Sequence, residues 1–69
     1  MLYEAKGVAT REAIRMAVAQ LLDYSRHVPT NPTLAVLLPA LPATDLLNLL
    51  AGQGIRCVYE TSPGTFQGV

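Results

Sequence analysis

Leu34-Ala35-Val36-Leu37-Leu38 is apolar at every position and is closed by Pro39. A strand wetted on one face alternates polar with apolar residues, so an unbroken apolar run fits a central parallel strand covered on both faces. Upstream, Pro29-Thr30-Asn31-Pro32-Thr33 reads as a turn-forming linker, because proline restricts the residue before it and extends neither helix nor ladder. Before that linker, neither Pro nor Gly interrupts Arg11 to Val28. This predicts a helix with Thr10 as its N-cap and Glu12 in the first turn, where negative charge is favoured. Ile14, Val18, Leu21 and Leu22, with Ala17 and Ser25, form an apolar stripe at helical period that should lie on the sheet. Ala13, Met16, Gln20 and Tyr24 form a neighbouring stripe, on which Gln20 and Tyr24 are stacked one turn apart.

Leu2 to Lys6 opens the chain as a second strand, with Leu2, Glu4 and Lys6 on one face and Tyr3 and Ala5 on the other. A right-handed crossover through the helix then joins it to Leu34–Leu38. Downstream, Pro39 to Thr44 connects to a second helix, capped at or near Thr44, with Asp45 at its positive end and Leu46, Leu47, Leu49 and Leu50 buried. That helix is expected to run to about Ala51, with Gly52 and Gly54 as left-handed stops. Ile55 to Tyr59 reads as a third strand. Ser62-Pro63-Gly64-Thr65 has the central Pro and Gly of a type II turn, so Thr65 to Gly68 is expected to return as a short edge strand.

The expected architecture is α/β, a β-α-β-α-β chain with a three-stranded, mainly parallel sheet, in one unit over residues 1–69. If both helices lie on one face of such a sheet, the other is bare. The wholly apolar central strand then requires a cover: the second helix, another subunit, or an N-terminal part of a larger domain. Self-association or a partner is therefore expected.

Composition narrows the chemistry. The 69 residues include five basic and five acidic side chains, a formal net charge of zero, and so no electrostatic footprint for nucleic acid over the whole chain. Lys6, Arg11, Arg15 and Arg26 nevertheless outnumber Glu4, Glu12 and Asp23 by one in the first 26 residues, leaving room for a local patch and for weak, salt-dependent DNA binding. The lone Cys57 forms no internal disulfide, and its apolar strand setting reads as a buried thiol in a reducing compartment, the cytoplasm. His27, beside Arg26 at the helix end, suits the helix dipole, and no Cys/His cluster suggests zinc. No apolar span is long enough to cross a membrane, and no secretion leader is read at the N-terminus.

The residues that carry chemistry are Glu4 and Lys6. A carboxylate offers hard oxygen ligands to Mg²⁺, and a lysine beside it orients water or offsets phosphate charge, a pair that phosphodiester hydrolysis uses. The plain alternative is a solvent-facing edge strand with two ordinary charges. Glu4-x-Lys6 ending a strand, followed by a helix bearing Gln20-x-x-x-Tyr24, resembles the C-terminal half of the PD-(D/E)xK nuclease superfamily, especially its RecB-like and restriction-type members.

The resemblance covers Leu2 to about Leu38. It implies a partial restriction-endonuclease-like core in which Glu4 is a metal ligand, Lys6 the catalytic lysine, and Gln20 and Tyr24 active-site residues. Mg²⁺ or Mn²⁺ is the implied cofactor. Arg11 and Arg15, on the helix turns nearest Lys6, extend this as expected phosphate contacts. Such nucleases use a further acidic ligand on a preceding strand, and only Met1, Leu2 and Tyr3 precede Glu4 here. Glu12 and Asp23 belong to the first helix, Asp45 opens the second, and Glu60 lies near the far end. The expected function is thus a truncated or split DNA nuclease, inactive or weakly active alone, whose missing portion or a second copy is its expected partner. The alternative is a non-catalytic α/β interaction or assembly module. A nucleotide-binding fragment is a third reading that rests on the β-α-β pattern alone.

Overall fold

A computed structural model describes residues 1–69 as β1 (Leu2–Ala5), α1 (Arg11–Ser25), β2 (Leu34–Leu38), α2 (Thr44–Gly52), β3 (Ile55–Ser62) and β4 (Thr65–Gly68). The strands form one four-stranded sheet in the order β1-β2-β3-β4. The first three are parallel, and β4 is antiparallel to β3. The sheet is thus mixed and one strand wider than the three-stranded expectation, with the returning edge strand in place over Thr65–Gly68. The turn explains why β3 runs on past Tyr59. Gly64 takes φ +79°, as the third residue of a type II turn must, and Ser62 pairs with Thr65 across it. With a return strand to pair with, Glu60 to Ser62 stay extended. The Glu60 carboxylate also accepts a 2.8 Å hydrogen bond from the Gly64 N–H.

Helix α1 begins as expected, with the Thr10 hydroxyl accepting from the Ala13 N–H at 3.2 Å. It stops at Ser25 rather than Val28. The chain tightens there into shorter turns, with His27 N–H to Tyr24 C=O at 3.0 Å and Val28 N–H to Ser25 C=O at 3.2 Å. The cause is Pro29, which drives Val28 out of helical geometry. Helix α2 is capped next to Thr44, which is itself the first helical residue: Ala43 is the N-cap, without a side-chain bond, and its carbonyl accepts from the N–H groups of Leu46 and Leu47. Gly52 stays helical, and the left-handed residue is Gly54, at φ +70°.

Both helices lie on the same face of the sheet. Ile14, Ala17 and Leu21 of α1 and Leu46 and Leu50 of α2 share one buried cluster with Leu34, Val36 and Leu38 of β2 and Ile55 and Cys57 of β3. These strand residues alternate in register, so they all point to one side. Helix α1 lies over β1 and β2, and α2 over β3. Val18, Leu47 and Leu49 are only partly buried against this cluster. Leu22, expected in the buried stripe, is 38% exposed. With Leu21 aimed at the sheet, the next residue is rotated by about 100° and falls at the margin.

The opposite face carries Tyr3 and Ala5 of β1, Ala35 and Leu37 of β2, Arg56, Val58 and Glu60 of β3, and Phe66 of β4. No element of the chain covers it. Ala35 is nonetheless fully buried, outside the main cluster. Its short side chain lies in one register row between Tyr3 and Arg56.

Two stability predictions follow from this packing. Leu21→Ala should cost about 2–5 kcal/mol in urea unfolding and Leu22→Ala less than about 1 kcal/mol. Burial raises the Cys57 thiol above its ordinary value of 9.0. A raised folded-state value means a contribution fully present below the unfolded-state pKa and lost as pH rises through the folded-state one. Wild-type stability should therefore fall from about pH 9 upward with a component that Cys57→Ala lacks, read by urea midpoints across pH.

Candidate functional site

Lys6 is held between a strand and a helix that are distant in sequence. Alternation along β1 puts the Glu4 side chain on the helix-covered face, and a 3.1 Å bond from the Lys6 N–H to the Leu37 carbonyl carries the register one residue past the strand. Helix α1 brings Gln20 to the same place. The Lys6 Nζ donates to Gln20 Oε1 at 2.8 Å and lies 3.6 Å from Glu4 Oε2, with 17% of the lysine and 23% of the glutamate side chain exposed. A largely covered cation and anion interact more strongly than an exposed pair, and a charged donor makes a stronger hydrogen bond than a neutral one. The amine is therefore fixed in direction.

The other expected site residues lie apart from this cluster. Tyr24 is one turn, about 6 Å, beyond Gln20 toward the C-terminal end of α1. It is 60% exposed, and its hydroxyl makes no hydrogen bond within the chain. Arg15 is exposed, makes no ion pair, and is five residues from Gln20, roughly 140° around the helix. Arg11 pairs with Asp45, joining the N-terminal turns of the two helices. The Arg11 hydrogen bond holds the Asp45 carboxyl below its usual range, against a smaller opposing effect of desolvation.

A shallow hollow of about 170 Å³ opens at the C-terminal ends of the parallel strands. Ala5, Leu37, Leu38 and Pro39 give it apolar walls, Lys6 borders it, and Glu60 and Phe66 close its far side. Sequence reasoning missed Glu60 and Phe66 as neighbours of Lys6. The signal was the turn at Pro63-Gly64, which brings Phe66 back beside Glu60.

Glu4 and Glu60 do not converge. They sit two strands apart, roughly 10 Å across the sheet, and three residues, roughly another 10 Å, apart along it, on opposite faces. Nowhere do three or more His, Cys, Asp or Glu side chains gather as a metal-holding group. Glu4 alone supplies one anionic ligand, whereas Mg²⁺ and Mn²⁺ seek six oxygens in near-octahedral array. The residues of this chain do not by themselves fit a resident metal.

Arg11→Ala should return the Asp45 titration toward its ordinary value of 3.8, followed by carboxyl NMR shifts. Because the folded-state value is depressed, the Arg11–Asp45 contribution is present above the unfolded-state pKa and is lost as pH falls through the folded-state one. The variant should accordingly lose part of the acid-induced fall in stability. In comparisons with known proteins, the chain matches no family model, no curated protein and no solved structure.

Proposed function

We propose that Glu4, Lys6 and Gln20 form the lysine-bearing half of a nuclease-type phosphodiester site, on a partial restriction-endonuclease-like core of the PD-(D/E)xK kind. The observation that carries this reading is the meeting of Lys6 with Gln20 across 14 residues of sequence, with Glu4 against the same amine. In this role the Lys6 ammonium offsets phosphate charge or orients water, Gln20 aims it, and Glu4 holds it and presents carboxylate oxygen. Arg15 is a free cation for an additional backbone contact. A single carboxylate leaves the metal shell of such a site incomplete, so the 69-residue chain alone should bind DNA weakly without cutting it. Mg²⁺ or Mn²⁺ chemistry, and Tyr24 as a further contact, belong to the completed site.

The second reading is a non-catalytic module, favoured by the fact that the Lys6 amine is already partnered within the chain. There the Lys6–Gln20 bond is a latch between β1 and α1.

DNA-binding titrations at several salt concentrations, with a plasmid-nicking assay in Mg²⁺ and in Mn²⁺, separate these readings. For the half-site, no nicking is expected, binding should weaken steeply with salt, and Lys6→Ala should lower the salt slope by about 1. Lys6-dependent nicking would show a complete site and overturn the half-site. If Lys6→Ala lowers thermal stability while leaving DNA binding unchanged, the residue is a latch and the module reading stands.

A further inference from the structure

The helix-free face has a pattern that matches itself. In register, Tyr3, Ala35 and Arg56 form one row across the sheet, and Ala5, Leu37, Val58 and Gly68 the next. Glu60 and Phe66 form the third. The middle row is apolar throughout. On β3 this gives Arg56 and Glu60 on either side of Val58, all three on one face.

Neither charge is paired within the chain. Arg56 takes part in no ion pair, and its guanidinium lies beside Gly68, 3.5 Å from where a Cβ would stand. Glu60 gives one oxygen to the Gly64 N–H and meets no cation. The carboxylate also borders the apolar hollow of about 170 Å³, beside the half-exposed ring of Phe66. Such a site suits a guanidinium, which pairs with the carboxylate and stacks on the ring.

We propose that this face is a two-fold interface with a second copy of the same chain. A two-fold axis lying in the interface and crossing the strands at the middle row reverses strand direction while keeping β3 over β3. Val58 then meets Val58, Leu37 meets Leu37, and Arg56 of each copy lies over Glu60 of the other. An isologous interface requires such self-complementarity, and the apolar row with opposite charges on its two sides supplies it. Two sheets packed face to face sit about 10 Å apart, within reach of an arginine directed into the facing hollow. Tyr3, 57% exposed, is carried in the same row and covers more of the apolar surface. The interface rests on the pattern of residues on this face and not on the phosphodiester reading.

Sedimentation equilibrium of the full chain at micromolar concentrations tests it. The wild type is expected at twice its 7.4 kDa mass. Arg56→Glu sets like charges against each other in the homodimer and should weaken association by about tenfold or more. Glu60→Arg should do the same. The decisive arm mixes the two variants in equal amounts. In the mixed dimer the carboxylate introduced by Arg56→Glu faces the guanidinium introduced by Glu60→Arg, and the unchanged Glu60 of the first variant faces the unchanged Arg56 of the second. Recovery of the double mass in the mixture supports the proposal. Circular dichroism checks that each variant is folded; because Glu60 also braces the turn, Glu60→Lys and Val58→Asp replace it if Glu60→Arg is unfolded. In that case, loss of association in Val58→Asp and recovery on mixing Arg56→Glu with Glu60→Lys are the supporting results. A wild type that stays at the single-chain mass throughout, or a mixture of folded variants that fails to recover, overturns it.

Discussion

Two crossovers of the same hand, both stepping in the same direction from β1 to β2 to β3, oblige α1 and α2 to share one side of the sheet. Everything else follows from that one-sidedness. A single apolar layer results, with Leu34, Val36, Leu38, Ile55 and Cys57 beneath Ile14, Ala17, Leu21, Leu46 and Leu50. A core this small leaves little reserve, because a short chain hides a smaller fraction of its surface than a larger one. The alternate residues of the same strands are left without a helix above them. Only the close rows of the sheet itself, around Ala35 and Leu37, shelter them.

Packing on one side also produces the Lys6 cluster. Because α1 lies along β1 and β2, its Gln20 comes level with the end of β1, and the β1 alternation that turns the partly buried Leu2 toward the helices brings Glu4 to the same side. The cluster is thus a by-product of burial at Ile14, Ala17 and Leu21, which set the rotation of the helix. That rotation turns Arg15 away and leaves Tyr24 in solvent. It also sets Arg11 opposite Asp45, so that the start of one helix is tied to the start of the other.

Much of this was legible in the sequence because the signals were local. Apolar continuity marked β2 over Leu34–Leu38, the Thr10 hydroxyl marked the start of α1, and Pro63-Gly64 marked the return to β4. Helix ends were less legible: Val28 fails as a helical residue only through its neighbour Pro29, and Thr44 is helical because Ala43 already occupies the cap. Periodicity identified Leu21 and Leu22 together, but choosing between adjacent positions depends on how the whole helix is rotated against β1 and β2. The site shows the same division. Strand alternation puts Glu4 and Lys6 on one face, whereas Gln20 entered through the resemblance to the nuclease motif, and the helix brings it to the same amine. Arg11 was read by its proximity to Lys6, whereas its partner Asp45 lies 34 residues away, and only the tertiary arrangement reveals it. Glu60 and Phe66 were missed beside Lys6 because their position depends on strand order across the whole sheet.

The two proposed surfaces occupy opposite sides of one sheet and impose a geometric condition on each other. A two-fold pairing through the bare face leaves both helix layers, and with them Glu4, Lys6 and Gln20, on the outside of the assembly. It also reverses strand direction between copies, so the two Lys6 clusters open at opposite ends of the sandwich. Two such clusters do not face one another across a shared cleft. Completion of either would therefore come from a group approaching the free edge of β1, not from the second copy. Pairing through the sheet face and completion of the lysine-bearing site are separable proposals, and the first would bury the bare face whether or not the second holds.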